Sequence, residues 1–424
     1  MKAFRGTLVY FTGDPRVDRG ALRFIEDGLL LLDGGRIVSA APYDERPGVD
    51  IVDYRGKLLI PGFVDAHVHS AQTDVIASPS DSLLDWLERH TFPAEARFAD
   101  AAYAHQASEY FIDELLRNGT TTAAVFPSVH PESVDALFEA AERRGLRMAA
   151  GKVMMDRHCP QAVRDEAESS YRDSQALIRR WHGRARLAYA VTPRFAPTSS
   201  ERQLELAGRL LEDHAGVLLQ THLSETEEEV RWVRQLFPWA NDYLDVYERY
   251  GMIRPGALFA HCLHLEGAEW DRLAAGGAAA VHCPSSNLFL GSGLFDLAAA
   301  CRSGAAVCLG TDVAGGTSFS MLRTMHDAHK VARMRRLPFD ALDGFYLATL
   351  GGATALGMQE RIGSFQPGRE ADFIVLRPDA TPLLARRMAQ AESIEARLFL
   401  LMTLGDERAV EATYILGEMS RVSS

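Results

Sequence analysis

From Phe63 to about residue 312 the chain repeats one unit, a short apolar run followed by a longer amphipathic stretch. The runs are "GFVDAHVH", "TTTAAVF" (120–126), "RMAAGKVMM" (147–155), "RLAYAVTP" (186–193), "GVLLQTHL" (216–223), "ALFAHC" (257–262), "AAAVHC" (278–283) and "AAVCLGTD" (305–312). Between them lie helical patterns such as "SVDALFEAAERRG" and "ERQLELAGRLLEDH". Continuous apolar runs alternating with helices are the signature of a parallel sheet covered on its outside, and this number of repeats fits a (β/α)8 TIM barrel. The ends differ from the middle. Residues 1 to about 60 read as strands and turns, with "DGG" at Asp33–Gly35 as a hairpin signal, and "ADFIVLRP" and "VEATYILGEMS" return to that pattern. We therefore expect residues 1–62 and 362–424 to form together a small flanking β-sandwich domain, with 63–361 as the barrel.

Active sites in such barrels lie at the carboxyl ends of the strands. The first run ends in His67 and His69, two apart and so on one face of a strand, with Gln72 just beyond. The fourth leads into Arg194 and Phe195. The fifth ends in His222, with Glu225 three residues on. The sixth, seventh and eighth end in His261, His282 and Asp312. Core packing does not account for this recurrence, because buried imidazoles need partners for both ring nitrogens and a buried carboxylate must be paired or bound to metal. The pattern points to a metal site. Glu225 sits where a helical turn would bring it above that site without making it a ligand, a suitable place for a proton-transfer group. In "SETEEEV", Glu227, Glu228 and Glu229 read as solvated charges at a helix start. His264 reads as structural, and Asn287 as a residue that shapes its loop. Trp86 and Phe92 read as core or as cover for a ligand ring.

Bulk properties narrow the function class. The formal net charge of -12 argues against a nucleic-acid surface. No run of apolar residues is long enough to span a bilayer, the N-terminus lacks a secretory pattern, and the five cysteines form no CxxC, so a reducing cytoplasm is expected. The PCxxC element of the zinc enzymes that deaminate cytidine and nucleic-acid bases is missing, which points to a free small molecule handled by a different fold.

The segments "PGFVDAHVH", "THLSE", "AHC" and "GTDVAGG" resemble the metal-dependent amidohydrolase superfamily over nearly the whole chain. Within it, "QTDVIASPSDSLLDWLERHTFPAE", "NGTTTAAVF" and "PRFAPT" resemble the branch that acts on guanine. The resemblance implies one zinc ion per subunit held by His67, His69, His222 and Asp312, although the same donors suit iron. The fourth run contains no lysine, which speaks against a second metal. It implies further that Glu225, Asp312 and His261 carry the chemistry and that Gln72, Arg194 and Phe195 bind the base. Water activated at the metal would attack C2 of guanine, with Glu225 protonating N3, to give xanthine and ammonia. A homodimer is implied as well. Two other readings stand beside it: a barrel aminohydrolase for 8-oxoguanine, a thioadenosine or a triazine, and a scaffold without chemistry. The scaffold should lack ligands at some strand ends, and here every candidate position is filled.

Overall fold

The computed structural model describes residues 1–45 and 49–420. The N-terminal segment forms strands β1 (Lys2–Phe11), β2 (Leu22–Asp33), β3 (Arg36–Pro42) and β4 (Ile51–Pro61). Gly34 and Gly35 join β2 to β3 with φ of 54° and 76°, the backbone that a two-residue hairpin of type I′ demands. The barrel strands follow: β5 (Phe63–His69), β6 (Thr120–Phe126), β7 (Arg147–Ala150), β8 (Val153–Met154), β9 (Leu187–Pro193), β10 (Leu218–Leu223), β11 (Ala257–His261), β12 (Ala279–His282) and β13 (Ala306–Leu309). They are parallel in the order β5-β6-β7-β9-β10-β11-β12-β13, with β8 paired to β9 off that path. The third apolar run is thus broken at Gly151, where a Cβ would lie 1.8 Å from the carbonyl oxygen of Ala190. At the carboxyl end, Asp312 N donates to His67 O (2.8 Å) and His69 N to Val313 O (2.9 Å), which joins the last strand's exit to the first strand and closes the ring.

Small residues fill the barrel interior: Val64, Ala66, Ala124, Ala149, Ala190, Ala260 and Ala279 belong to one buried cluster. Phe63 and Val68 pack instead in the larger cluster between strands and helices. The register of β5 against β6 slips between Asp65 and Val68. That irregularity lets Ala66 and then His67 and His69 face inward in turn, a use of β-bulges common beside active sites.

Strands β14 (Phe373–Leu376), β15 (Val410–Ile415) and β16 (Glu418–Met419) complete a seven-stranded sheet in the order β16-β15-β14-β4-β1-β2-β3. Both termini build it, and it has a core of its own in which Phe373 and Tyr414 stack and Phe4 meets both edge-on. Two helices, Pro382–Met388 and Ile394–Leu404, interrupt the strand-like pattern of this segment. The second begins at Ser393, whose side chain accepts from Ala396 N, and it buries Leu398, Leu401 and Met402.

Sheet and barrel are tied by a buried charge cluster at the amino ends of the barrel strands. Arg147 Nη2 reaches Glu370 Oε1 at 2.5 Å, and Arg186 Nη2 reaches Glu370 Oε2 at 2.6 Å. Arg186 also pairs with Asp372 and donates to Gly145 O at 2.7 Å. Two guanidiniums meet two carboxylates, so the cluster is neutral within itself. Although burial works against it, Arg186 and Arg147 hold the Glu370 carboxyl below its ordinary range.

Candidate active site

At the opposite end of the barrel the expected histidines converge. The Nε2 atoms of His67 and His69 are 3.2 Å apart, and those of His69 and His222 are 3.3 Å apart. Asp312 Oδ1 stands 3.2 Å from His67 Nε2 and 3.3 Å from His69 Nε2. All four residues are buried. His222 Nδ1 lies 2.7 Å from the carbonyl oxygen of Arg194. A carbonyl only accepts, so Nδ1 carries the proton and Nε2 turns a lone pair toward its neighbours. Ligands bonded at 2.0–2.1 Å in a tetrahedron are about 3.3 Å apart, and the separations found here match that spacing. Burial presses the rings toward neutrality, holding His69 down at about 3 and His222 well below its usual value. Burial opposes ionisation of Asp312 as well, but His67, His69 and His261 together hold it well below the carboxylate range. A lone-pair cluster with one carboxylate is what a divalent cation requires.

His261 joins the same group: ligand atoms of His67, His222, His261 and Asp312 all lie within 4.8 Å of one another. Its Nε2 is 3.6 Å from Asp312 Oδ2 and 3.5 Å from Glu225 Oε2, so it sits between the two carboxylates. Asn287 Oδ1 receives its Nδ1 at 2.8 Å. Asn287, expected to shape its loop, lies on the helix Pro284–Phe289 and orients a site imidazole instead.

The loop that carries Asp312 owes its position to Gly310 and Asp65. A Cβ on Gly310 would lie 2.7 Å from that of His67, so only glycine permits this approach. Asp65 accepts from Thr311 N at 3.0 Å and from Thr311 Oγ1 at 2.5 Å. Burial, partly offset by these bonds, raises Asp65 to about 6.

Glu225 lines the pocket and is buried, and burial together with the charges of Asp312 and Glu229 pushes its carboxyl well above the ordinary range. Ser292 Oγ donates to it at 3.4 Å. Of the three acids that follow, Glu227 and Glu228 are exposed, but Glu229 is wholly buried, which corrects the expectation of a solvated charge. It accepts from Glu225 N at 2.9 Å and from Tyr243 OH at 2.6 Å. It is also the N3 partner of Thr226 in a capping box, and that Thr-x-x-Glu spacing was the available signal.

The remaining pocket wall is apolar, formed by Leu83, Trp86, Leu87, Phe195 and Leu290, with Gln72 and Arg194 as its polar groups. Phe92 packs under Arg194, whose guanidinium carbon is 5.5 Å from its ring centre, and does not line the pocket. His282 is buried against Phe295, outside this wall, and burial lowers it to about 3. His264 Nε2 donates to Ser292 O at 3.0 Å and so ties its loop to the one that follows the helix Pro284–Phe289. Glu95 escaped the sequence reading altogether. It is fully buried, bonds both Arg194 and Gln72, and lies three residues after Phe92, hence on the same helical face as a buried aromatic.

Residues 58–419 match the amidohydrolase family model. The chain is 48% identical to a guanine deaminase of Escherichia coli strain K12 over 99% of its own length and 97% of the relative's. A solved E. coli guanine deaminase superimposes with a TM-score of 0.98 at 48% identity, each chain fully covered. A guanine deaminase from C. acetobutylicum, solved with guanine in its active site, superimposes with a TM-score of 0.92 at 28% identity, with 99% of this chain and 100% of that one covered.

Proposed function

The chain belongs to the amidohydrolase family, and from that premise we propose that it hydrolyses guanine at C2 to xanthine and ammonia. It is a hydrolase acting on a C–N bond, and its relatives of 48% and 41% identity are a guanine deaminase and a probable guanine deaminase. The observation that carries the mechanism is the meeting of three imidazole nitrogens and a carboxylate at 3.2–3.3 Å directly beside Glu225.

His67, His69, His222 and Asp312 would hold one metal ion; these donors suit zinc and iron alike, and the family resemblance favours zinc. When bound, that ion supplies the Lewis acidity that makes water nucleophilic near neutral pH. Glu225 takes the proton from the attacking water and passes it to N3 as the C2–O bond forms. Glu225 next takes the proton of the new C2 hydroxyl and hands it to the 2-amino group, so that the C2=O bond forms as the C2–N bond breaks and ammonia leaves. His261, fixed through Nδ1 on Asn287, presents Nε2 between Glu225 and Asp312 and steadies the water by a hydrogen bond. Asp312 keeps its second oxygen on the His261 side, where it can share that proton. Gln72 and Arg194 bind the purine edge, and Phe195 covers the ring. Assembly as a homodimer, a cytoplasmic location and a place in purine catabolism belong to the same reading; no helix among the described residues is long and apolar enough to cross a membrane.

Ammonia release measured over a panel of guanine, adenine, 8-oxoguanine, a thioadenosine and a triazine, with metal analysis of the purified protein, tests this reading. Guanine should be turned over far faster than the others, with one metal per chain. A faster substrate elsewhere in the panel, or turnover unaffected by complete metal removal, would overturn it.

A further inference from the structure

Glu95 has no part in the chemistry above, yet it is 0% exposed and touches both polar groups of the base-binding wall. Its Oε1 lies 3.0 Å from Gln72 Nε2 and 2.7 Å from Arg194 Nη1, and its Oε2 lies 2.9 Å from the same Nη1. We propose that Glu95 is a positioning residue that fixes the donor and acceptor pattern presented to the base, and so selects 6-oxopurines over 6-aminopurines. The proposal rests on the reading that Gln72 and Arg194 bind the purine edge.

A carboxylate paired with a guanidinium only accepts hydrogen bonds. The Gln72 atom that faces it must therefore be the amide nitrogen. This leaves the Gln72 carbonyl oxygen at the other end, 3.4 Å from Ala314 N, as an acceptor with room for a further bond. Arg194 commits Nη1 to both oxygens of Glu95, and its Nη2 and Nε can only donate. The wall therefore offers an acceptor beside donors. Guanine presents the complement: an N1–H that donates and a C6 carbonyl that accepts. A 6-aminopurine such as 2,6-diaminopurine keeps the 2-amino group yet reverses both positions, with a bare N1 and a C6 amine. Without Glu95 only the long contact from Ala314 N holds the Gln72 amide, which can then turn end for end far more readily and satisfy either edge. Glu95 is held in turn from its own backbone, where Ser128 Oγ donates to Glu95 O at 2.9 Å.

The test compares kcat and KM for guanine and 2,6-diaminopurine in the unaltered metalloenzyme, in Glu95→Gln and in the swap Gln72→Glu/Glu95→Gln. Glu95→Gln should raise KM for guanine more than it lowers kcat, and cut the preference for guanine about tenfold or more, since discrimination here comes from buried groups left unpaired. In the swap, the amide at 95 donates to the carboxylate at 72, which again shows the base only acceptors; the preference should recover. A merely structural role would lower stability and turnover on both bases and leave their ratio alone. An unchanged ratio in Glu95→Gln, or a lost one in a folded swap, would overturn the proposal. Should Glu95→Gln fail to fold, the swap decides alone. A crystal structure of the unaltered enzyme with hypoxanthine decides without any variant: Gln72 still on Glu95 while its oxygen meets N1 supports the role, and Gln72 turned away from Glu95 removes it. Unaltered enzyme that releases no ammonia from guanine would instead sink the base-binding reading on which this rests.

Discussion

The barrel carries a buried polar cluster at each end, and the two are built on opposite plans. At the amino end, Arg147 and Arg186 meet Glu370 and Asp372, and every charge finds its counterpart within the protein. At the carboxyl end, His67, His69, His222 and Asp312 aim lone pairs at one another at 3.2–3.3 Å, an arrangement that no set of protons among them can satisfy throughout. Buried groups that complete each other serve as structure, and groups that leave each other incomplete create a demand for something from outside. The pairing of Glu95 with Arg194 lies between the two plans, complete within itself and yet part of the wall that meets a ligand.

Substitutions can break this contrast, beginning where the effect should be largest. Asp312→Ala takes away the one carboxylate among the proposed ligands. We expect metal content near zero and a fall in kcat/KM of about 10⁴-fold or more, read by metal analysis and ammonia release. Retained metal would mean that the cluster is satisfied from within after all. Glu225→Gln should keep the metal and the melting temperature while kcat drops by about 10²–10⁴-fold, the range for loss of a general acid–base group; near-normal turnover would remove Glu225 from its role. Arg194→Ala should raise KM and weaken discrimination against adenine. It also strands the Glu95 carboxylate, so a stability loss of about 3–5 kcal/mol is expected by chemical denaturation. If stability holds while KM rises, Arg194 matters only to the ligand. The smallest effect on activity is expected at the other end. Glu370→Gln should leave kcat/KM within about twofold and lower the melting temperature at pH 7, because removing one partner exposes the cost of the buried guanidiniums. Glu370 has a lowered carboxyl pKa in the folded chain, so its stabilising contribution is present above the ordinary carboxylate value of about 4.3 and is lost as pH falls below it. The melting gap between the two proteins should therefore narrow on acidification from pH 6 to pH 3. A constant gap would mean the cluster is not electrostatic in origin.

The two plans also differ in how far the amino-acid sequence reveals them. The converging side chains were legible because histidines and an aspartate end apolar runs, where packing gives no reason for them. The barrel was legible for a related cause, since its strands are apolar on both faces and its helices have a polar one. Glu95 and the imidazole-orienting role of Asn287 were not legible, because each depends on a partner far off in the chain, Arg194 for Glu95 and His261 for Asn287, whereas Glu229 carried a local signal in its spacing from Thr226. An isolated acid in "FPAE" looks like surface until the fold shows what lies against it. The helices at 382–404 were obscured in the same way, their apolar residues blending with the strand pattern on either side.

The hydrogen bonds from Asp312 to His67 and from His69 to Val313 join the first barrel strand to the exit of the last. No shorter stretch of polypeptide therefore owns the site. During synthesis the imidazoles of His67, His69 and His222 emerge well before the carboxylate that completes them, and an ion captured early would have to let go of provisional partners. Durable metal uptake thus reports that the cylinder has finished wrapping, and a truncated product is left without a working catalyst.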